Sequence, residues 1–115
     1  MNLNTNMDMA KQVTRILSDA KDNGIMAKGY LEVVRSIQQK KAKLVIIAEN
    51  IDNQKLVLEI KRLCNKHEIP VLSTLNKRDL GKSVGLNIDC GFASIKISGL
   101  DKKGFQYLIQ LVAKA

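Results

Sequence analysis

Five consecutive apolar residues, Leu44-Val45-Ile46-Ile47-Ala48, form the longest uninterrupted apolar run in the chain and constrain its fold more than any other feature. A β-rich run with no polar alternate is a strand covered on both faces, so its sheet must lie between layers. Helical and strand patterns alternate around it without a linker. Met9, Val13, Ile16, Leu17 and Ala20 recur at helical spacing over residues 8–22, with Asn6 or Asp8 as cap and Asn23-Gly24 as stop. Tyr30, Val33, Val34 and Ile37 share one face of a helix over 29–40. Asp52 is placed to cap a helix over 53–67, whose stripe is Leu56, Ile60, Leu63 and Cys64. A short strand, Ile69 to Ser73, follows at an edge position, because Pro70 cannot donate to a ladder. Asn76 caps a short helix through Leu80 and Val84 that closes at Gly85. Ala93, Ile95 and Ile97 alternate with Ser94, Lys96 and Ser98 as a half-exposed strand, and Asp101 opens a last helix. The order α, α, β, α, β, α, β, α predicts an α/β layered domain with a small, largely parallel sheet. At 115 residues the chain is read as one domain, residues 1–115.

Charge narrows the class of partner. There are 19 Lys plus Arg against 11 Asp plus Glu, a formal charge of +8, which favours polyanions through counterion release. RNA leads, since no segment reads as a membrane span or a signal segment, and the chain is expected to be soluble and intracellular. Only Tyr30, Phe92, Phe105 and Tyr107 are aromatic and Trp is absent, so a base-stacking platform is disfavoured. Contacts should go mainly to phosphate and sugar.

Catalytic and metal-binding patterns are weak. Gly81-Lys82-Ser83 ends like a phosphate-binding loop, but Asn76 stands where that loop needs its first glycine. Glu49 and Asp52 follow the first strand, where α/β sheets place ligands, yet no second carboxylate cluster or base-activated nucleophile accompanies them. Cys64-x-x-His67 is half of a metal site without its other half, so both Cys64 and Cys90 read as small buried hydrophobes. No enzyme, cofactor, metal or small-molecule substrate is implied. Positive charge, by contrast, concentrates at two points. Residues 28–43 carry five cations, Lys28, Arg35, Lys40, Lys41 and Lys43, against Glu32 alone, around a helix opening at Gly29 whose N–H groups can meet phosphate. Lys77-Arg78 with Gly81-Lys82 repeats the pattern at a second helix start.

Lys28-Gly29-Tyr30-Leu31-Glu32-Val33-Val34-Arg35, Ala42 to Asn50, Leu63-Cys64 before Ile69-Pro70, and Leu80-Gly81-Lys82-Ser83-Val84-Gly85 together resemble the kink-turn-binding ribosomal protein superfamily over residues 24–98. The resemblance implies a three-layer α/β/α sandwich with a small mixed, largely parallel sheet, and an RNA-binding edge at the Gly29 helix start and the loop after Gly85. Asn4-Thr5, Asp22-x-Gly24-Ile25, Leu63-Cys64-x-x-His67-x-Ile69, Asn76-Lys77 and Gly99 are similar to the branch of the eukaryotic small-subunit ribosomal protein twelve. That branch implies a structural constituent of the 40S subunit, in its head at the beak. It would contact small-subunit ribosomal RNA and neighbouring small-subunit proteins in the cytoplasm, after nucleolar passage during assembly.

In this reading Gly29 and Tyr30 present N–H groups to phosphate. Glu32 and Arg35 contact a base edge or sugar, Lys28, Lys43 and Lys82 neutralise phosphates, and Ile88 packs on RNA or a neighbouring protein. Kink-turn binders carry Asn two residues after the Gly, where its amide reads a guanine; here Leu31 offers neither donor nor acceptor. Backbone and shape recognition is therefore expected in place of autonomous kink-turn binding. The segment Leu86 to Gly91 is also shorter than the loop usual for the branch. Two rivals follow: a kink-turn protein of a small nucleolar particle or of the large subunit, against which Leu31 speaks, and the recognition domain of an RNA-modifying enzyme, for which 115 residues leave no catalytic domain.

Overall fold

A computed structural model of the chain describes residues 5–22 and 26–96. The elements are α1 (Thr5–Asp22), β1 (Met26–Lys28), α2 (Tyr30–Gln38), β2 (Leu44–Ile47), α3 (Gln54–Lys66), β3 (Val71–Leu72), α4 (Lys77–Ser83) and β4 (Phe92–Ile95). The helix expected from Asp101 and the strand positions Ile97 and Ser98 lie outside the described residues.

Every residue of β2 is buried, as its unbroken apolar run requires. Leu44, Ile46 and Ala48 pack with Val13, Ile16, Leu17 and Ala20 of α1 and with Leu80 and Val84 at α4. Val45 and Ile47 turn the other way, onto Val33 and Ile37 of α2 and Val57, Ile60 and Cys64 of α3. One strand thus separates two cores, and the architecture is the expected α/β/α sandwich. Each fully buried aliphatic side chain contributes about 1.5–3 kcal/mol to it.

The sheet runs β1-β4-β2-β3. β2 pairs parallel with β3, whereas β4 pairs antiparallel with both β1 and β2. The sheet is mixed, and two of its three pairings are antiparallel where a largely parallel sheet was expected. The cause lies after α4. That helix has only seven residues, and the segment beyond it doubles back, with the Cys90 N–H bonded to the Lys77 carbonyl at 3.0 Å. The chain therefore re-enters the sheet at the end where β3 left it and must run the opposite way.

This also corrects the half-exposed reading of the last strand. Lying between β1 and β2, all four residues of β4 are buried. Ala93 and Ile95 face the α1 side, while Ser94, fully buried, meets Ser36 of α2 with 2.8 Å between hydroxyl oxygens. Ser36 spends its single proton on the Val33 carbonyl at 2.7 Å, so Ser94 is the donor to Ser36. β1 has no sequence signal, being three residues long and defined by its pairing with β4.

Helix ends differ from expectation in two places. α1 begins at Thr5, so Asn6 and Asp8, expected as its cap, lie inside the helix. Asn53 caps α3, its side chain accepting from the Lys55 and Leu56 N–H groups at 3.1 and 3.4 Å. Asp52, the predicted cap, is fully exposed and reaches Lys77 Nζ at 3.7 Å instead.

Candidate functional site

The register divides the molecule into two ends. β2 runs from Leu44, opposite Ile95, to Ile47, opposite Phe92. At the Phe92 end the chain leaves β1 through Gly29, whose φ of +91° is a conformation that L side chains rarely adopt. A Cβ at Gly29 would meet nothing within 4 Å, so the requirement there is conformational and not steric.

The Gly29 N–H is not available to phosphate, contrary to expectation. It donates to the Phe92 carbonyl at 2.8 Å, tying the start of α2 to the sheet. The Gly29 carbonyl accepts the first helical bond from Val33, and no side chain caps the helix. The N–H groups that a cap would engage, in the turn beginning at Tyr30, are thus left without one. Tyr30 packs edge-on against Phe92, with ring centroids 5.7 Å apart and planes at 72°, so its ring anchors α2 while its backbone opens the first turn. Glu32 favours the positive end of the helix and forms an exposed ion pair with Arg35. The two side chains expected to touch a base or sugar are therefore mutually engaged. Leu31 projects beside them, 72% exposed.

Three loops close over the same end. The Ala48 N–H donates to Gly91 at 2.8 Å, the Glu49 N–H to Leu75 at 2.7 Å, and the Lys77 N–H to Asn50 Oδ1 at 2.8 Å. Asn76 accepts from the Asp79 N–H at 2.8 Å. The start of α4 is thereby already occupied, so the second predicted phosphate cradle is closed. Sequence reasoning passed over Asn50, whose role depends on a contact with a residue 27 positions away. Lys82 and Arg78 of α4 line one cleft of about 260 Å³ with Leu86, Asn87, Ile88 and Asp89 of the loop that follows it. Ile88 is 72% exposed, on the loop that leads into Phe92 and so toward Gly29. Gly81 lets that loop approach α4: a Cβ there would stand 2.1 Å from the Ile88 carbonyl oxygen.

Lys28, Gly29, Tyr30, Glu32, Arg35, Lys82 and Ile88 thus belong to elements that meet at one end of the sheet or run from it. Lys43 does not. Its N–H bonds to the Ile95 carbonyl, which places it about 13 Å along β2 from the Phe92 register. Lys40 and Lys41 accompany it there, because α2 has carried the chain the length of the sheet. Charge at the Gly29 end is balanced: residues 28–35, 48–53 and 73–91 together hold five cations and five carboxylates.

Cys64 is buried against α2, and burial pushes its thiol up to about 11; burial likewise raises Cys90, whose thiol donates to the Phe92 carbonyl. Among the described residues no group of three or more His, Cys, Asp or Glu is placed to hold a metal, and no helix is long and apolar enough to cross a membrane.

The chain matches the ribosomal protein L7Ae/L30e/S12e/Gadd45 family over residues 11–103. Its fold is similar to that of a 15.5kD RNA binding protein from Giardia lamblia, with a TM-score of 0.79 and 20% identity, covering 93% of this chain and 87% of that one. It is also similar to a protein of unknown function from Bacillus halodurans C, with a TM-score of 0.75 and 22% identity, covering 90% of this chain and 98% of that one. At such identities the likeness is one of fold.

Proposed function

The chain belongs to the ribosomal protein L7Ae/L30e/S12e/Gadd45 family, and from that premise we propose that it is a non-catalytic RNA-binding protein of the small ribosomal subunit. The observation that carries the reading is Leu31. It stands exposed in the first turn of α2, beside the uncapped helix start, at the position where a kink-turn reader needs an amide. The surface around it offers N–H groups, the lysines Lys28 and Lys82, and the apolar tip Ile88. That set suits phosphate, sugar and shape contacts within a particle whose other components supply specificity. Small-subunit ribosomal RNA and adjoining small-subunit proteins are the partners, and the cytoplasmic ribosome is the site of action.

Sedimentation of a cell extract tests the assignment. Recovery of the protein with 40S particles supports it, whereas recovery with 60S or light nucleolar fractions overturns it. Titration with a standard kink-turn RNA at two salt concentrations tests the mechanism. Wild-type binding should be weak and salt-sensitive, and Leu31→Asn, at an exposed position, should tighten it about tenfold by adding a base contact. Tight wild-type binding that survives high salt refutes the mechanism.

A further inference from the structure

Half of the chain's net charge of +8 lies at the end of the sheet opposite Gly29. Residues 39–43, 65–70 and Lys96 gather five lysines, Lys40, Lys41, Lys43, Lys66 and Lys96, against Glu68 alone. Lys40, Lys41, Lys43 and Lys66 are exposed, and no ion pair among the described residues engages any of the five. A cleft of about 310 Å³ opens between the ends of α2 and α3, lined by Lys40, Lys43, His67, Glu68 and Pro70 over an apolar floor that includes Ile37.

The backbone of this cleft is unusual. Both helices end in the same motif: Lys41 and Lys40 donate to the Ser36 and Ile37 carbonyls, and Ile69 and Glu68 donate to those of Cys64 and Asn65. The left-handed position of that motif is ordinarily glycine, yet here it is Lys40 at φ 60° and Glu68 at φ 57°. Both residues line one cleft, where Lys40 adds to the positive charge and Glu68 is the single carboxylate set against it. The motif also engages the last carbonyls of both helices. The negative helix ends are therefore already satisfied, and the lysines stand in front of them free to meet an outside anion.

We propose that this lysine-rich end is a second RNA-contacting surface, which grips the phosphodiester backbone of a segment other than the one at the Gly29 end, so that the protein bridges two stretches of RNA. The inference rests on the RNA-binding reading above. Lys43, expected at the first surface, belongs to this one.

The test measures binding of a fluorescein-labelled RNA duplex of about two helical turns by anisotropy, between about 50 and 200 mM KCl. Wild type is compared with Lys40→Gln/Lys41→Gln/Lys43→Gln and with a charge-matched control, Lys11→Gln/Lys55→Gln/Lys61→Gln, whose lysines are exposed on α1 and α3. The first triple should lower the slope of log K against log salt by about 2 to 3 and weaken binding at the lower salt at least tenfold. The control should lower the slope by less than about 1. Equal losses in both triples, or no loss in the first, overturn the second surface while wild-type binding leaves the RNA reading standing. No binding of this duplex or of kink-turn RNA by the wild type overturns both. Unchanged circular dichroism melting of each triple shows that folding is not the variable.

Discussion

Gly81→Ala sets two effects of opposite sign against each other. In a helix interior, alanine is favoured over glycine by about 1 kcal/mol, so the substitution should stabilise α4 if the helix alone decided. The added Cβ, however, would stand 2.1 Å from the Ile88 carbonyl oxygen and 3.2 Å from its carbon. To restore ordinary contact the loop must retreat by about 1 Å. Both obstructing atoms are backbone, so no rotamer change relieves them. The loop is held by the Leu86 N–H to the Gly81 carbonyl at 2.8 Å and by the Cys90 N–H to the Lys77 carbonyl at 3.0 Å. Weakening two such bonds costs about 1 kcal/mol each, and overpacking costs about 1–3 kcal/mol. The expected net is a destabilisation of about 2–4 kcal/mol, read by urea denaturation followed by far-ultraviolet circular dichroism, with an unchanged m-value. Because the same retreat displaces Ile88, RNA binding should weaken as well. A Gly81→Ala protein as stable as wild type, or more so, refutes the close approach as the reason for glycine.

Further predictions concern the buried hydroxyl pair, the helix cap and a thiol. Ser36→Ala strands the Ser94 hydroxyl in a site with no exposure and should cost about 1–3 kcal/mol, more than Ser94→Ala, which leaves Ser36 its bond to Val33. In a double-mutant cycle the two costs should fall short of additivity. Asn53→Ala should cost about 1 kcal/mol in thermal or urea unfolding, whereas Asp52→Ala should change stability by less than about 0.5 kcal/mol. The Cys64 thiol is raised in the folded protein, so its contribution is complete below the ordinary thiol range and is lost as pH rises toward about 11. Stability should therefore fall between pH 9 and 11 by on the order of 2 kcal/mol more in wild type than in Cys64→Ala, measured by urea titration across that range. An identical pH slope in the two proteins excludes the burial of this thiol as the cause.

Local sequence patterns governed what was legible in advance. The apolar run at Leu44–Ala48 announced a strand between two layers, and the stripes of α1, α2 and α3 were readable because 3.6-residue periodicity belongs to the segment itself. Asn76 was readable as a cap for the same reason. β1 was invisible because three residues carry no period, and Asp52 was preferred to Asn53 because adjacent cap residues differ only in where the backbone turns. Ser94 read as exposed because alternation of polar and apolar residues cannot reveal a buried partner contributed from Ser36.

By itself the sequence determined the α/β class and the positions of its helices, while its charge and its resemblance set the expectations of a polyanionic partner and of a missing amide at Leu31. Only the tertiary structure decided where the charge goes. Lys28 and Lys43 lie 15 residues apart in one basic stretch, yet α2 runs the length of the sheet between them and delivers them to opposite ends. The structure also closed the start of α4, where Asn50 and Asn76 take the Lys77 and Asp79 N–H groups, and gave the Gly29 N–H to Phe92 while leaving the first turn of α2 uncapped. Both outcomes depend on pairings between distant segments, whose geometry is set by packing the whole sheet and not by any local pattern.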